Sequence, residues 1–438
     1  MEPDLPLRIA WAALLLAGCG AAAPDAEPVA GVAPGVDTAA PAAPSPYADD
    51  PYILTASTVI LISVDGFRWD YAERADTPTL DRLAAEGVRA DGLVPAFPTK
   101  TFPNHYTLAT GLWPAHHGII DNQFYAPDLH ASFDMFSARD NADERWFGGE
   151  PIWITAERQG VRAGTMFWVG SEVQWSHGIR QTWAVPYDGS VPFAERVDRI
   201  LYWLDQPEDA PRFVTLYFNE PDHAGHAHGP EDPRVARAVE TVDAMLGRLV
   251  AGLEARGRLD ETDLVVVSDH GMTGISSDRL LYVDDHIDLD TVWVHSWGAW
   301  MNLWPVAGVD PDRVVAQLQG LPHASCARRE DLPEALHFGT GERIAPVHCV
   351  AELGFTLTSR AFAEENPDRV RGGTHGYNPA ERDMHGLLVA RGPHLQPGLR
   401  LPPVENVHVY ALLARMLEVA PAAHDGQLDV WSDALRPR

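Results

Sequence analysis

The chain has 438 residues, 45% of them hydrophobic and 22% charged, and its 33 Lys and Arg stand against 62 Asp and Glu for a formal net charge of −29. This is the composition of a folded globular chain rather than a disordered one. So acidic a surface excludes a protein that coats nucleic acid or holds anionic lipid through a basic face, while a small anionic substrate stays compatible if its site supplies positive charge, such as a metal ion.

In chain order, Ile9 to Gly18 is a short apolar run, too short to span a bilayer, and Leu16-Ala17-Gly18-Cys19 has the form of a bacterial lipoprotein signal in which Cys19 becomes the lipidated N-terminus. Glu2 and Asp4 outweigh Arg8 ahead of it, where such signals are normally basic. Gly20 to Asp50 is mostly Ala, Pro, Gly and Asp, which bury too little to order the chain, and reads as a tether. The expectation is a signal over 1–18, a tether over 19–50, and an exported protein of the cell envelope whose only membrane attachment is a lipid on Cys19. Cys326 and Cys349 are the remaining cysteines; export permits a bridge between them, and spacing alone leaves it open.

From residue 57 short apolar runs alternate with helical stretches, the pattern of an α/β domain with a mostly parallel sheet covered on both faces. Strands are expected at Val59–Val64, Phe213–Phe218, Leu264–Val267 and Leu387–Ala390. Helices are expected at Thr79–Glu86, Asn104–Thr110, Ile152–Gln159, Phe193–Leu204, Pro233–Glu254 and Val404–Leu417. The stretch 274–372 differs, with an aromatic strand (Trp297–Trp304), a helix (Pro311–Gln319) and strand character between Cys326 and Cys349. It reads as a smaller α+β insertion into a catalytic domain made of 51–273 and 373–435.

Several expected strands end in metal-ligand residue types. Val59–Val64 runs into Asp65-Gly66, Leu264–Val267 into Asp269-His270-Gly271, and Phe213–Phe218 leads to Asp222 with His226 four residues on. An Asp after a strand is ordinarily a turn or cap residue. Three such ends in one parallel sheet, two with a nearby His, instead converge on the crevice beyond the carboxyl ends of the strands, and carboxylate with imidazole suits zinc or a similar divalent ion. His375, in Gly372-Gly373-Thr374-His375-Gly376, joins this set; His105, His116, His117, His223 and His228 are left unassigned. Thr101 stands two residues before Pro103, so its hydroxyl is placed at a positive helix N-terminus. Such a hydroxyl beside Asp and His is the arrangement that nucleophilic phosphoryl transfer requires.

The strings VILISVDGFRWDY, PTKTFPNHYTLATGLWPAHHGIIDN, GGEPIWITAERQG, EPDHAGHAHGP, VVSDHGM and GGTHGY resemble, in order, the nucleotide pyrophosphatase/phosphodiesterase family of the alkaline phosphatase superfamily, over residues 57 to about 430. The resemblance implies an alkaline-phosphatase-like fold and two Zn²⁺, one held by Asp222, His226 and His375, the other by Asp65, Thr101, Asp269 and His270. It implies Thr101 as nucleophile, a covalent threonine intermediate, and Asn122 as donor to a non-bridging phosphate oxygen. Phe102 and Tyr187 match positions that sandwich a base in nucleotide-cleaving members, and Lys100, the sole lysine of the chain, is placed to aid phosphate binding. The expected partner is a small nucleotide or other phosphodiester. The alternatives are a lysophospholipase C-like or phosphomonoester hydrolase of the same superfamily, and a surface-anchored binding protein without catalysis. No Cys or Ser stands in the x-Pro-x-Arg context of a sulfatase.

Overall fold

Along Thr58–Val64 (β1), Val59 and Leu61 enter one apolar layer and Ile60, Ile62 and Val64 the opposite one, all of them fully buried. That is the two-residue period of an extended chain covered on both sides. The computed structural model describes residues 45–438, so Cys19, the signal segment and most of the tether lie outside the described residues. The other strands of the sheet are Val88–Ala90 (β2), Ala163–Met166 (β3), Trp183–Val185 (β4), Phe213–Phe218 (β5), Thr262–Val267 (β6), Leu388–Arg391 (β7) and Leu399–Leu401 (β8), in the order β8-β2-β7-β6-β1-β5-β3-β4. β5 and β6 flank β1 in parallel, while β7 runs antiparallel to both neighbours.

Helices cover both faces: Pro78–Glu86 (α1), Thr101–Thr110 (α2), Ile152–Arg158 (α3), Phe193–Leu204 (α4), Asp222–His228 (α5), Pro233–Ala255 (α6) and Val409–Leu417 (α7). Leu108 of α2, Trp153 of α3 and Leu413 of α7 pack with Val59 and Leu61; Leu83 of α1, Ile200 of α4 and Val242 of α6 pack with Ile60 and Ile62. This is the α/β architecture anticipated from the alternating pattern.

Two boundaries differ from expectation for physical reasons. α2 begins at Thr101, not Asn104, because Pro103 sits in the first turn, where its missing N–H costs nothing; Lys100 is the cap. α7 begins at Val409, since Val404–Glu405 pairs with Leu93–Val94 and Asn406 turns inward to donate to Asn104 Oδ1 at 2.8 Å. The short strands β2, β3, β4 and β8 carry too few β-branched residues in sequence to stand out.

Within 274–372, Val292–Val294, Trp300–Pro305, Val347–Ala351 and Ala324–Arg328 form, in that order, a separate antiparallel sheet. Cys326 and Cys349 face each other across it with Cα atoms 4.1 Å apart and are joined by a disulfide. Ser45–Ile53, at the end of the Ala/Pro-rich stretch, packs on α7, where Asp50 meets the buried Arg415 at 2.9 Å and Tyr47 Oη donates to the Val419 carbonyl at 3.3 Å. No helix among the described residues is long and apolar enough to cross a membrane.

Candidate active site

The three central strands each deliver a carboxylate to one end of the sheet. Asp65 follows β1 and Asp269 lies just past β6, while β5 leads through Asn219-Glu220-Pro221 to Asp222 at the start of α5. Backbone bonds lock the first and last together: Asp65 N–H donates to Phe218 O at 2.9 Å and Asp222 N–H to Asp65 O at 3.0 Å. Gly66, at φ 65°, makes this approach possible, because a Cβ there would stand 2.8 Å from the Asp222 Cα. Its N–H donates to Asp269 Oδ1 at 3.2 Å.

The imidazoles close the cluster. His226, four residues after Asp222 and so on the same face of α5, brings Nε2 to 3.4 Å from Asp222 Oδ1 and to 3.1 Å from His375 Nε2. His226 Nδ1 faces Gly373 O at 2.9 Å and His375 Nδ1 faces Thr99 O at 2.8 Å. Carbonyls only accept, so both Nδ1 atoms carry the proton and the two Nε2 lone pairs point at each other. His270 is oriented in the same way by Gly271 O at 2.8 Å, which turns its Nε2 toward Thr101 Oγ1 at 3.2 Å, Asp269 Oδ2 at 3.0 Å and Asp65 Oδ1 at 3.5 Å.

Such a cluster is electrostatically unfavourable by itself. Burial, then the neighbouring Asp269 and Asp222 carboxylates, hold the Asp65 carboxyl well above its ordinary range. Burial, then His270 and His226, push His375 well below the usual imidazole value. Asp269 is lowered to about 2 despite its burial, by His270 and His105 beside it. Asp65 Oδ1, Asp222 Oδ1 and Asp269 Oδ2 are buried with no hydrogen-bond partner among the described residues. An anionic oxygen buried unpaired is costly, and facing lone pairs repel. Divalent cations relieve both, so the residues present fit metal ions, with one candidate group in Asp222, His226 and His375 and another in Asp65, Asp222 and His270.

Thr101, in the first turn of α2, stands beside this cluster, 3.2 Å from His270 Nε2, and Asn122 is held next to it: its Oδ1 accepts the Phe102 N–H at 2.9 Å, which leaves the amide NH₂ to donate elsewhere. Lys100 Nζ lies 4.0 Å from the buried Asp121 carboxylate. A cavity of about 290 Å³ opens next to Thr101, and Phe102 and the half-exposed Tyr187 both line it, with Phe167, Trp168 and Tyr217. All the site residues expected from sequence are thus placed at this one end of the sheet. His223 and His228 are exposed on α5, and His116 pairs with Asp425 at 2.7 Å.

Two supports escaped the sequence reading. Tyr217 Oη donates to Asp65 Oδ2 at 2.7 Å from β5, where only its half-burial in an otherwise buried strand marks it. His105 lies 3.4 Å from Asp269 Oδ2, and because its ring is held by Thr101 O at 2.9 Å and Ser63 Oγ at 2.8 Å it acts as a support rather than a free ligand.

Residues 59–378 match the family model described as type I phosphodiesterase/nucleotide pyrophosphatase. The chain belongs to this family. A pyrophosphatase/phosphodiesterase of Schizosaccharomyces pombe, itself uncharacterized, is 35% identical over 388 residues, 84% of this chain and 79% of the yeast protein. The venom phosphodiesterase of Crotalus durissus collilineatus is 37% identical over 385 residues, 84% of this chain, which spans only 45% of the venom protein. Among solved structures, murine ectonucleotide pyrophosphatase/phosphodiesterase 5 superposes with a TM-score of 0.81 at 32% identity, covering 86% of this chain and all of the murine one. An inactive threonine-to-alanine variant of that murine protein has been solved in complex with AMP. Family membership places the chain among hydrolases of phosphodiester or pyrophosphate bonds in the alkaline phosphatase superfamily.

Proposed function

We propose that this protein cleaves nucleotide phosphodiester or pyrophosphate bonds with Thr101 as nucleophile. The observation that carries the reading is the Thr101 hydroxyl 3.2 Å from His270 Nε2, inside the carboxylate and imidazole cluster and at the mouth of an aromatic cavity. Asp222, His226 and His375 would hold one zinc ion and Asp65, Thr101, Asp269 and His270 a second. Bound there, the ions supply the charge that acidifies a hydroxyl and neutralises phosphoryl oxygens. Thr101 Oγ gives up its proton, attacks phosphorus and displaces the leaving oxygen, forming a threonine phosphodiester that water then cleaves to restore the hydroxyl. The first turn of α2 favours the developing negative charge, and the Asn122 NH₂ donates to a non-bridging oxygen. Phe102 and Tyr187 offer ring faces to a base, and the AMP complex of the murine neighbour supports a nucleotide there. The Leu16–Cys19 motif and the Cys326–Cys349 disulfide support an exported, lipid-anchored enzyme of the cell envelope.

The test compares turnover of the nitrophenyl ester of thymidine monophosphate with nitrophenyl phosphate and nitrophenyl phosphorylcholine. The nucleotide diester is expected to be fastest, to lose turnover with a chelator and to regain it with zinc. Preference for the monoester or the choline ester moves the protein to another branch of the superfamily, and no hydrolysis of any ester leaves a binding protein.

A further inference from the structure

Asn122, the amide that donates to a non-bridging oxygen in the reading above, stands at the end of a stretch with no regular structure of its own. Residues 118–122 are neither helix nor strand, and Gln123–Ala126 then opens a two-stranded hairpin with Ala131–Asp134. A donor displaced by about 1 Å loses most of its worth in the transition state, so the amide depends on whatever grips this stretch from outside.

The grip comes from the 274–372 insertion, although the residues of the metal cluster all lie outside it. Arg343 reaches both ends of the stretch 118–128. Its Nη1 donates to the Gly118 carbonyl at 3.2 Å, while Nε at 3.2 Å and Nη2 at 2.9 Å donate to the carboxylate of Asp128 in the hairpin turn. The two remaining N–H groups reach Trp146 O and Arg145 O, each at 2.7 Å, and the guanidinium lies over the Trp146 ring, 5.6 Å from its centroid. All five donors are engaged, in a planar fork that lysine cannot reproduce. The approach is close: a Cβ on Gly118 would stand 2.9 Å from Arg343 Nη1. With 15% of its side chain exposed, Arg343 is not a solvated surface pair. Between the two ends, Ser296 of the same insertion donates to the buried Asp121 carboxylate, which also accepts the Asn122 N–H at 2.7 Å.

We infer that Arg343 is a positioning residue of the reaction: by clipping Gly118 to the hairpin turn at Asp128 it fixes the Asn122 amide, so that the insertion sets how well charge on the phosphoryl oxygens is stabilised. This rests on the role given to Asn122 above and adds a residue that acts through it. The test is a double-mutant cycle on turnover of the nitrophenyl ester of thymidine monophosphate. Asn122→Ala is expected to lower kcat by about 10²- to 10³-fold, the scale of one lost donor to a developing oxyanion. Arg343→Ala is expected to lower kcat by roughly 10-fold or more, with KM within about twofold and zinc content unchanged, because the base cavity and the ligands are untouched. Added to Asn122→Ala it is expected to cost less than about twofold further, since the group it positions is gone. Arg343→Lys keeps the charge but cannot span both ends; it is expected to lose kcat as Arg343→Ala does, and it carries the cycle if the alanine variant does not fold. An equal fall in kcat with and without Asn122, no fall in the otherwise unmodified protein, or full kcat in Arg343→Lys overturns the positioning role while leaving the hydrolase in place. Unchanged kcat in Asn122→Ala overturns the donor assignment itself and this inference with it.

Discussion

A threonine hydroxyl in water keeps its proton far above neutral pH, so Thr101 can act only through what surrounds it: the first turn of α2, His270 at 3.2 Å, and the carboxylates whose buried oxygens call for cations. Thr101→Ala removes one ligand of a proposed four and leaves Asp65, Asp269 and His270. Zinc content is therefore expected to stay near that of the unmodified protein while kcat falls by roughly 10⁴-fold or more, the scale seen when a nucleophile is deleted. Metal analysis beside turnover checks this, and substantial residual turnover would reject the nucleophile. The proposed ligands are legible in sequence because each lies past a strand end or in a glycine turn, and two of the three strand ends pair an Asp with a His. Tyr217 and His105 are not. Their parts are relational, and nothing local in Tyr217 or in the Thr-Phe-Pro-Asn-His-Tyr string announces that Asp65 or Asp269 will be its neighbour.

A buried amide ties the loop that carries Lys100 to the helix α2 it leads into. Asn104 Oδ1 accepts the Ala96 N–H at 2.7 Å, and its Nδ2 reaches the carbonyls of Pro98 at 3.0 Å and Lys100 at 2.8 Å. Helix and loop are thereby one unit, with Asn406 bonded to it from the entry to α7. Asn104→Ala leaves the buried Ala96 N–H and the buried Asn406 amide without their shared acceptor and takes one donor from the Pro98 and Lys100 carbonyls, so a loss of about 2–4 kcal/mol is expected in denaturant unfolding, together with a lower kcat as Thr101 loses its fixed position. Unchanged stability would show that the loop is held by other contacts. The residue pattern bounds this helix at Asn104, three residues past its start at Thr101, although Pro103 already reads as a first-turn residue; the packed loop fixes the earlier start.

Across the whole molecule, a parallel sheet places the ends of distant segments side by side, and the alternating apolar and helical pattern was enough to foresee that layout. It did not show which buried histidines hold the segments together. His117 ties α2 to the turn leading to Asn122: its Nδ1 accepts the Ile119 N–H at 3.2 Å, and its Nε2 faces Thr107 Oγ1 at 3.0 Å and Pro103 O at 3.2 Å. That pattern fits only the neutral ring, and burial lowers its pKa to about 3. In the unfolded chain an imidazole titrates near 6.5. Between these values the unfolded state binds the extra proton, so the contribution of His117 is complete above pH 6.5 and is lost as pH falls toward 3. The slope is about 1.4 kcal/mol per pH unit for one such group. Buried His348, also lowered to about 3, acts in the same direction. Replacing His117 with Gln removes one titrating ring, and acid release of metal affects both proteins alike and cancels in their difference. The stability gap between H117Q and the unmodified protein is therefore expected to narrow by that slope as unfolding is measured from pH 6 down to pH 4. Curves that stay parallel over this range would mean that the folded protein accepts the proton at His117 and that the turn does not depend on a neutral ring.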